Sequence, residues 1–81
     1  MIFLYIVKCR DNSYYTGITS NIERRVWQHN SGIKTSIQKS KRPVKLMYFE
    51  KYNNRINAAK REKEIKGWNR KKKEKLIDSL H

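Results

Sequence analysis

In a chain of 81 residues of which 33% are charged, one uninterrupted apolar run, Ile2 to Val7, constrains the fold most. It has the length of a strand and is rich in Ile, Phe and Tyr. It lacks the polar alternation of a half-exposed strand, so it reads as a strand buried on both faces, at the centre of a sheet. It is far too short to span a bilayer. With no basic segment before it and no small-residue cleavage site after it, it does not read as a secretory leader.

The rest of the chain organises around that strand. Asp11 and Asn12 suit a turn, and Tyr14 to Ile18 favours extension, which predicts an antiparallel hairpin. Ser20 and Glu23 have the Ser-x-x-Glu spacing of a capping box. They predict a helix over residues 21–30, stopped by the left-handed turn that Asn30-Ser31-Gly32 provides. Residues 31–42 lack periodicity and form a long connection ending at Pro43. Val44, Leu46 and Tyr48 alternate with Lys45, Met47 and Phe49, which predicts a third strand. Asn53 or Asn54 can cap a helix over 55–66 that Gly67 breaks. Trp68 to Leu80 reads as a last helix, packing through Trp68, Leu76, Ile77 and Leu80. The order ββαβαα defines a single α+β domain over 1–81, built on a small three-stranded antiparallel sheet flanked by helices.

Charge then restricts the partners. Twenty Lys and Arg against seven Asp and Glu leave a net charge of +13, and fifteen of the basic residues lie in residues 38–81. Such a field calls for a polyanion, most commonly nucleic acid. A single Cys9 and two His residues exclude a disulfide framework and a four-ligand zinc site, and point to a reducing, cytoplasmic setting.

Three side chains fall where packing alone would not place them. On the first helix the buried stripe is Ile22 and Val26. His29 falls near the middle of that stripe and Arg25 at its edge, whereas Arg24 points away. Arg25 and His29, at i and i+4, can act on one phosphate; equally, His29 can be a satisfied histidine at the core edge and Arg25 a snorkelling surface residue. On the second helix Glu62 lies inside the apolar face of Ala58, Ala59 and Ile65. Desolvating an ion costs several kcal/mol, so Glu62 needs a cation, a metal ion or water in a cleft. A buried pair with Arg25 or a lysine is the plain structural alternative. Tyr5 and Tyr15 either fill the core or direct their hydroxyls into the same cleft. Trp27 either packs under the long connection or stacks on a base, with packing the expected role as it is for Tyr48, Tyr52 and Trp68, and helix-surface ion pairs are the expected role of Glu64 and Glu74.

These residues stand in a familiar order. Phe3-Leu4-Tyr5 occupies the place of Gly-Ile-Tyr, and Tyr15-Thr16-Gly17 that of Tyr-Ile-Gly. Ile18 to Arg25, His29-Asn30, Arg42-Pro43, the strand Leu46 to Glu50 and the segment Ala58 to Trp68 follow. Over nearly its whole length the chain resembles the GIY-YIG nuclease domain, above all its small stand-alone bacterial members, and is similar to the N-terminal nuclease domain of UvrC. Phe3 and Thr16 depart from the literal motif.

The resemblance implies an endonuclease that hydrolyses DNA phosphodiesters with one divalent ion, Mg²⁺ or Mn²⁺, in repair or recombination. Tyr5 and Tyr15 would orient or deprotonate the attacking water, Arg25 would stabilise the transition-state charge, His29 would transfer a proton or bind phosphate, and Glu62 would hold the metal. The sequence carries no zinc finger or helix-turn-helix beside these motifs, so little sequence specificity is expected. Phosphate contacts from Arg24, Lys34, Lys39, Lys41, Arg42, Lys66 and Arg70 would dominate binding. Branched or single-stranded DNA suits this pattern, RNA is also compatible, and a protein partner could supply specificity. The competing reading is a basic nucleic-acid-binding module of the same fold without catalysis. No membrane association is expected.

Overall fold

The computed structural model describes residues 1–79. The apolar run forms β1 (Ile2–Lys8), the middle strand of a three-stranded sheet of order β2-β1-β3, between β2 (Tyr14–Thr19) and β3 (Lys45–Tyr52). Both pairings are antiparallel. Leu4, Tyr5, Ile6 and Val7 are each at most 1% exposed, as a strand covered on both faces requires. Phe3, Tyr5 and Val7 look to one face. Leu4 and Ile6 look to the other, where they pack with Tyr48, Ile65 and Ile77. Tyr5 and Val7 join Cys9, Ile37 and Val44 in a second cluster under the long connection. A register shift opposite Ile6 and Val7 leaves Met47 as an extra residue on β3.

Polar side chains set the ends of the elements. In the β1–β2 turn the Asp11 carboxylate accepts from the Ser13 N–H at 3.0 Å and the Ser13 hydroxyl at 2.6 Å, and Asn12 takes a positive φ of 70°. Helix α1 (Ile22–Ser31) is not opened by the Ser20–Glu23 box. Its cap is Asn21, whose side chain accepts from the Arg24 N–H at 3.0 Å. Thr19 Oγ1 holds Asn21 in place through the Asn21 N–H and C=O, both at 3.2 Å. That register puts Glu23 at the second helical position, where it cannot bond back to the cap but still faces the positive end of the helix. Gly32 ends α1 in the left-handed conformation, φ 79°, as the sequence anticipates.

A 3₁₀ turn (Lys39–Lys41) interrupts the connection. Asn54 caps α2 (Arg55–Lys66), and Asn69 caps α3 (Arg70–Asp78), which is shorter than the helix anticipated from Trp68. Leu80, assigned above to the packed face of that helix, lies outside the described residues. Gly67 does end α2, in ordinary right-handed geometry.

One polar network ties α2 to β3. Glu50 accepts a two-pronged bond from Arg61, Nε to Oε1 at 3.0 Å and Nη2 to Oε2 at 3.1 Å, and it also accepts the hydroxyls of Tyr48 and Tyr52. Burial opposes ionisation of Glu50, but the Arg61 fork and the two phenols outweigh it and hold its carboxyl below the usual range. With 25% and 18% of the two side chains exposed, the pair is half-desolvated. Arg61→Met, which removes one partner only, is expected to cost about 2 kcal/mol of stability, measured by urea unfolding. Trp68 packs beside it between the Arg61 guanidinium and the Lys72 ammonium, 5.1 and 4.4 Å from its ring centre.

Candidate active site

The sheet face that carries Tyr5 also carries Tyr15, because the two belong to antiparallel neighbours: Tyr5 stands opposite Gly17, and Val7 opposite Tyr15. Helix α1 lays His29 over both. The imidazole is fully buried, shares a 2.8 Å hydrogen bond with the Tyr5 hydroxyl through Nε2, and meets the Tyr15 ring edge-on at 5.0 Å between centres. Its Nδ1 lies 2.6 Å from Thr35 Oγ1, which also accepts the Ile37 N–H at 3.0 Å. Both ring nitrogens are thereby tied.

Gly17 makes this possible. A Cβ there would come within 2.6 Å of the Tyr5 hydroxyl oxygen and 2.8 Å of its Cζ, so Tyr5 lies across the glycine in space that a larger residue would occupy.

The electrostatics follow from burial and nearby cations. Burial first, then the charges of Arg25 and Arg42, push the His29 pKa down to about 4, so the ring is neutral at physiological pH. Burial pushes Tyr5 up to about 12 against the opposing pull of Arg25, and the negative charges of Tyr15 and Glu62 add to the rise. Because the unfolded chain titrates its histidines near 6.5, the unfolded state binds more protons between pH 6.5 and 4. Stability contributed by neutral His29 is therefore complete above about 6.5 and lost as pH falls towards 4. His29→Gln is expected to flatten that part of the stability–pH curve, measured by thermal denaturation at fixed ionic strength.

Arg25 is half-buried beside Tyr5. Its Nη1 donates to the Lys34 carbonyl at 2.7 Å and to Gln28 Oε1 at 3.1 Å. Neither bond uses Nε or Nη2, an edge of the fork that suits two phosphate oxygens, and the guanidinium also comes within hydrogen-bonding reach of the Tyr5 hydroxyl.

Glu62 is less buried than its place on the apolar face suggests: 23% of its side chain is exposed, and its partner at 3.5 Å is Lys66, itself 53% exposed. A pair so open to water is loose. The anticipated alternative of a tight buried pair with Arg25 or a lysine is not what forms. Among the described residues no three His, Cys, Asp or Glu side chains converge as metal ligands. The available donor set, one carboxylate with water access beside a phenol, fits a hard divalent ion that keeps most of its water and takes phosphate oxygens from a substrate; it does not fit a closed structural site.

The anticipated nucleic-acid contacts divide into two groups. Arg24, Lys34 and Lys39 are exposed and make no ion pair among the described residues. The other four are engaged. Lys41 faces Asp11 at 3.8 Å, and Lys66 pairs with Glu62. Arg42 staples the loop by donating from Nε and Nη2 to the Ile37 carbonyl at 3.2 and 2.8 Å. Arg70 lies over the Tyr14 ring at 4.7 Å, bonds the Asn12 carbonyl and pairs with Glu74 at 3.6 Å. Glu64 pairs with Arg61, so both glutamates expected in helix-surface pairs are found there. Trp27 is a correction to the expectation that it packs: it is 58% exposed, and the connection after α1 bonds instead to Arg25 and His29 through Lys34 and Thr35.

Sequence reasoning passed over Thr35 and Gln28, since a polar residue in an aperiodic loop and a glutamine on a mostly polar helix carry no distinguishing pattern. Gly17 did carry a signal, a glycine inside a strand.

The sheet order and the element order together define a small α+β domain. The chain belongs to the GIY-YIG family, whose catalytic-domain profile matches residues 1–75. It is 46% identical over 76 residues to a UPF0213 protein of Staphylococcus haemolyticus, covering 94% of this chain and 93% of that one. It is 44% identical over 75 residues to a UPF0213 protein of Listeria welshimeri, covering 93% and 83%. Two solution NMR structures are similar in fold. The UPF0213 protein of Bacillus halodurans has a TM-score of 0.62 at 33% identity, over 96% of this chain and 84% of that one. A protein of E. faecalis has a TM-score of 0.65 at 36% identity, over 98% and 84%. Among the described residues no helix is long and apolar enough to cross a membrane.

Proposed function

We propose that this protein is a metal-dependent DNA endonuclease with little sequence specificity, acting in repair or recombination. The observation that carries the reading is the 2.8 Å contact between the Tyr5 hydroxyl and a buried, neutral His29, with Tyr15 and the open edge of Arg25 beside it. A cluster that only filled a core would not need a neutral imidazole tied to a phenol next to a guanidinium with donors to spare.

In the catalytic sequence Tyr5 takes the proton of the attacking water and passes its own to Nε2 of His29, while Nδ1–H donates to Thr35. A neutral phenol whose pKa is pushed up to about 12 is a poor base alone, and the imidazole behind it gives the displaced phenol proton a place to go. Burial is the first cause of the low His29 pKa; binding of an anionic phosphate offsets the part that Arg25 and Arg42 add, and makes the ring more basic to that extent once substrate is present. Arg25 grips two phosphate oxygens through Nε and Nη2 and stabilises the charge that builds on them. Tyr15 orients the water from the other side. Glu62 would hold the divalent ion, Mg²⁺ or Mn²⁺, which when bound neutralises phosphate charge and acidifies water. Arg24, Lys34 and Lys39 supply phosphate contacts that no ion pair among the described residues weakens.

The test is incubation of the purified protein with plasmid, flap and single-stranded DNA in Mg²⁺, Mn²⁺ or EDTA. Divalent-dependent cleavage that falls by at least about a hundredfold in Arg25→Ala is expected. Binding without cleavage under every condition would leave the protein as a basic binding module, and cleavage unaltered in Arg25→Ala would remove the site assignment.

A further inference from the structure

Beside Tyr15 lies a cavity of about 160 Å³, not lined by His29, that the proton-transfer chemistry does not use. Its lining includes Cys9 and Ile37, each 5% exposed, and the partly exposed Tyr15; Ser36, Gln38 and Lys41 are also in contact with it.

Its frame is rigid before any ligand arrives. The Arg10 N–H donates to the Lys41 carbonyl at 2.8 Å, and the Cys9 N–H to the Ser13 carbonyl at 2.8 Å. The Lys41 N–H donates to the Gln38 carbonyl at 2.9 Å. Ile37 is fixed through its N–H to Thr35, the residue that holds His29. One loop therefore sets both the imidazole and the cavity wall.

Size and chemistry restrict the occupant. The space is several times the roughly 30 Å³ share of one water and well short of the about 300 Å³ at which drug-sized pockets begin. Apolar groups with the two aromatic rings of Tyr14 and Tyr15, joined by amide, hydroxyl and ammonium donors, suit a flat ring with an apolar face and a polar edge. Lys41, tied to Asp11 only at 3.8 Å and with 41% of its side chain exposed, can take a phosphate.

We propose that this cavity receives one unpaired nucleobase, that of the nucleotide next to the phosphate held at Arg25 and the two tyrosines. This rests on the nucleic-acid reading above and narrows it. A base within a duplex has its edge paired and its faces stacked, so it cannot enter, and DNA with an unpaired nucleotide at the cleavage point becomes the favoured substrate.

The experiment measures binding by fluorescence anisotropy in EDTA at fixed low salt, for a short single-stranded DNA and for an abasic strand of equal phosphate count. The wild-type protein should prefer the base-bearing strand by about tenfold. Ser36→Trp, which fills the cavity from an exposed loop position without altering charge, should bind both strands equally, at the wild-type affinity for the abasic one. Gln38→Trp serves if circular dichroism shows Ser36→Trp to be unfolded. A tenfold ratio that survives in the filled variant, or no ratio in the wild type, overturns the base site. Failure of the wild type to bind either strand overturns the nucleic-acid reading instead.

Discussion

Glu62→Gln is expected to abolish cleavage, by about a thousandfold or more, while DNA affinity in EDTA stays level or rises slightly. The side chain keeps its size and its place on α2, and the loose contact with half-exposed Lys66 contributes little to stability. What is lost is the carboxylate charge. A divalent ion held there supplies several kcal/mol of transition-state stabilisation, equivalent to a rate effect of that order. Removing a negative charge from a protein of net charge +13 can only favour a polyanion. Single-turnover cleavage and equilibrium binding, measured on the same preparation, separate the two effects. A variant that cuts at the wild-type rate would show that Glu62 holds no catalytic ion, and weaker binding would show that its pairing with Lys66 shapes the DNA surface.

Gly17→Ala is expected to impair folding and chemistry together. The new methyl would stand 2.6 Å from the Tyr5 hydroxyl oxygen and 2.8 Å from its Cζ, and a tyrosine that is 1% exposed has no open space into which to swing. Overpacking of this kind typically costs about 1–3 kcal/mol. Relief comes by turning Tyr5 away from β2, which breaks its bond to His29. A displacement of about 1 Å at a reacting group can cost about a hundredfold in rate. The pairing can be isolated with a double-mutant cycle, since Tyr5→Phe removes the atom that clashes first. The destabilisation from Gly17→Ala should be smaller in the Tyr5→Phe background than in the wild type. Equal losses in both backgrounds would place the strain elsewhere.

The fold was largely legible because its signals are local. An apolar run with no polar interruption has few places to go except the middle of a sheet, and Asp11-Asn12, Gly32 and Asn54 act through hydrogen bonds and dihedral preferences within a few residues of themselves. The cap of α1 shows where local reading stops. Ser20 and Asn21 are both competent caps, and the choice fell to Asn21 because Thr19, at the end of β2, bonds it from the strand side. Trp27 was misread for a related reason: helical periodicity says which way it points from α1, not whether the following connection passes over it.

The candidate site was legible in part. Helical spacing alone brought Arg25 and His29 onto one face and turned Glu62 towards the sheet, whereas the exposure of Glu62 depended on how α2 sits at the edge of the core. By itself the sequence determined the three strands, the helices and the positive field, because these follow from near neighbours and composition. Only the tertiary structure decided that Tyr5 crosses Gly17, that Thr35 ties off His29 and that Arg61 satisfies Glu50. Each of those contacts joins residues from different elements, and a one-residue change of strand register would turn the same side chains to opposite faces of the sheet.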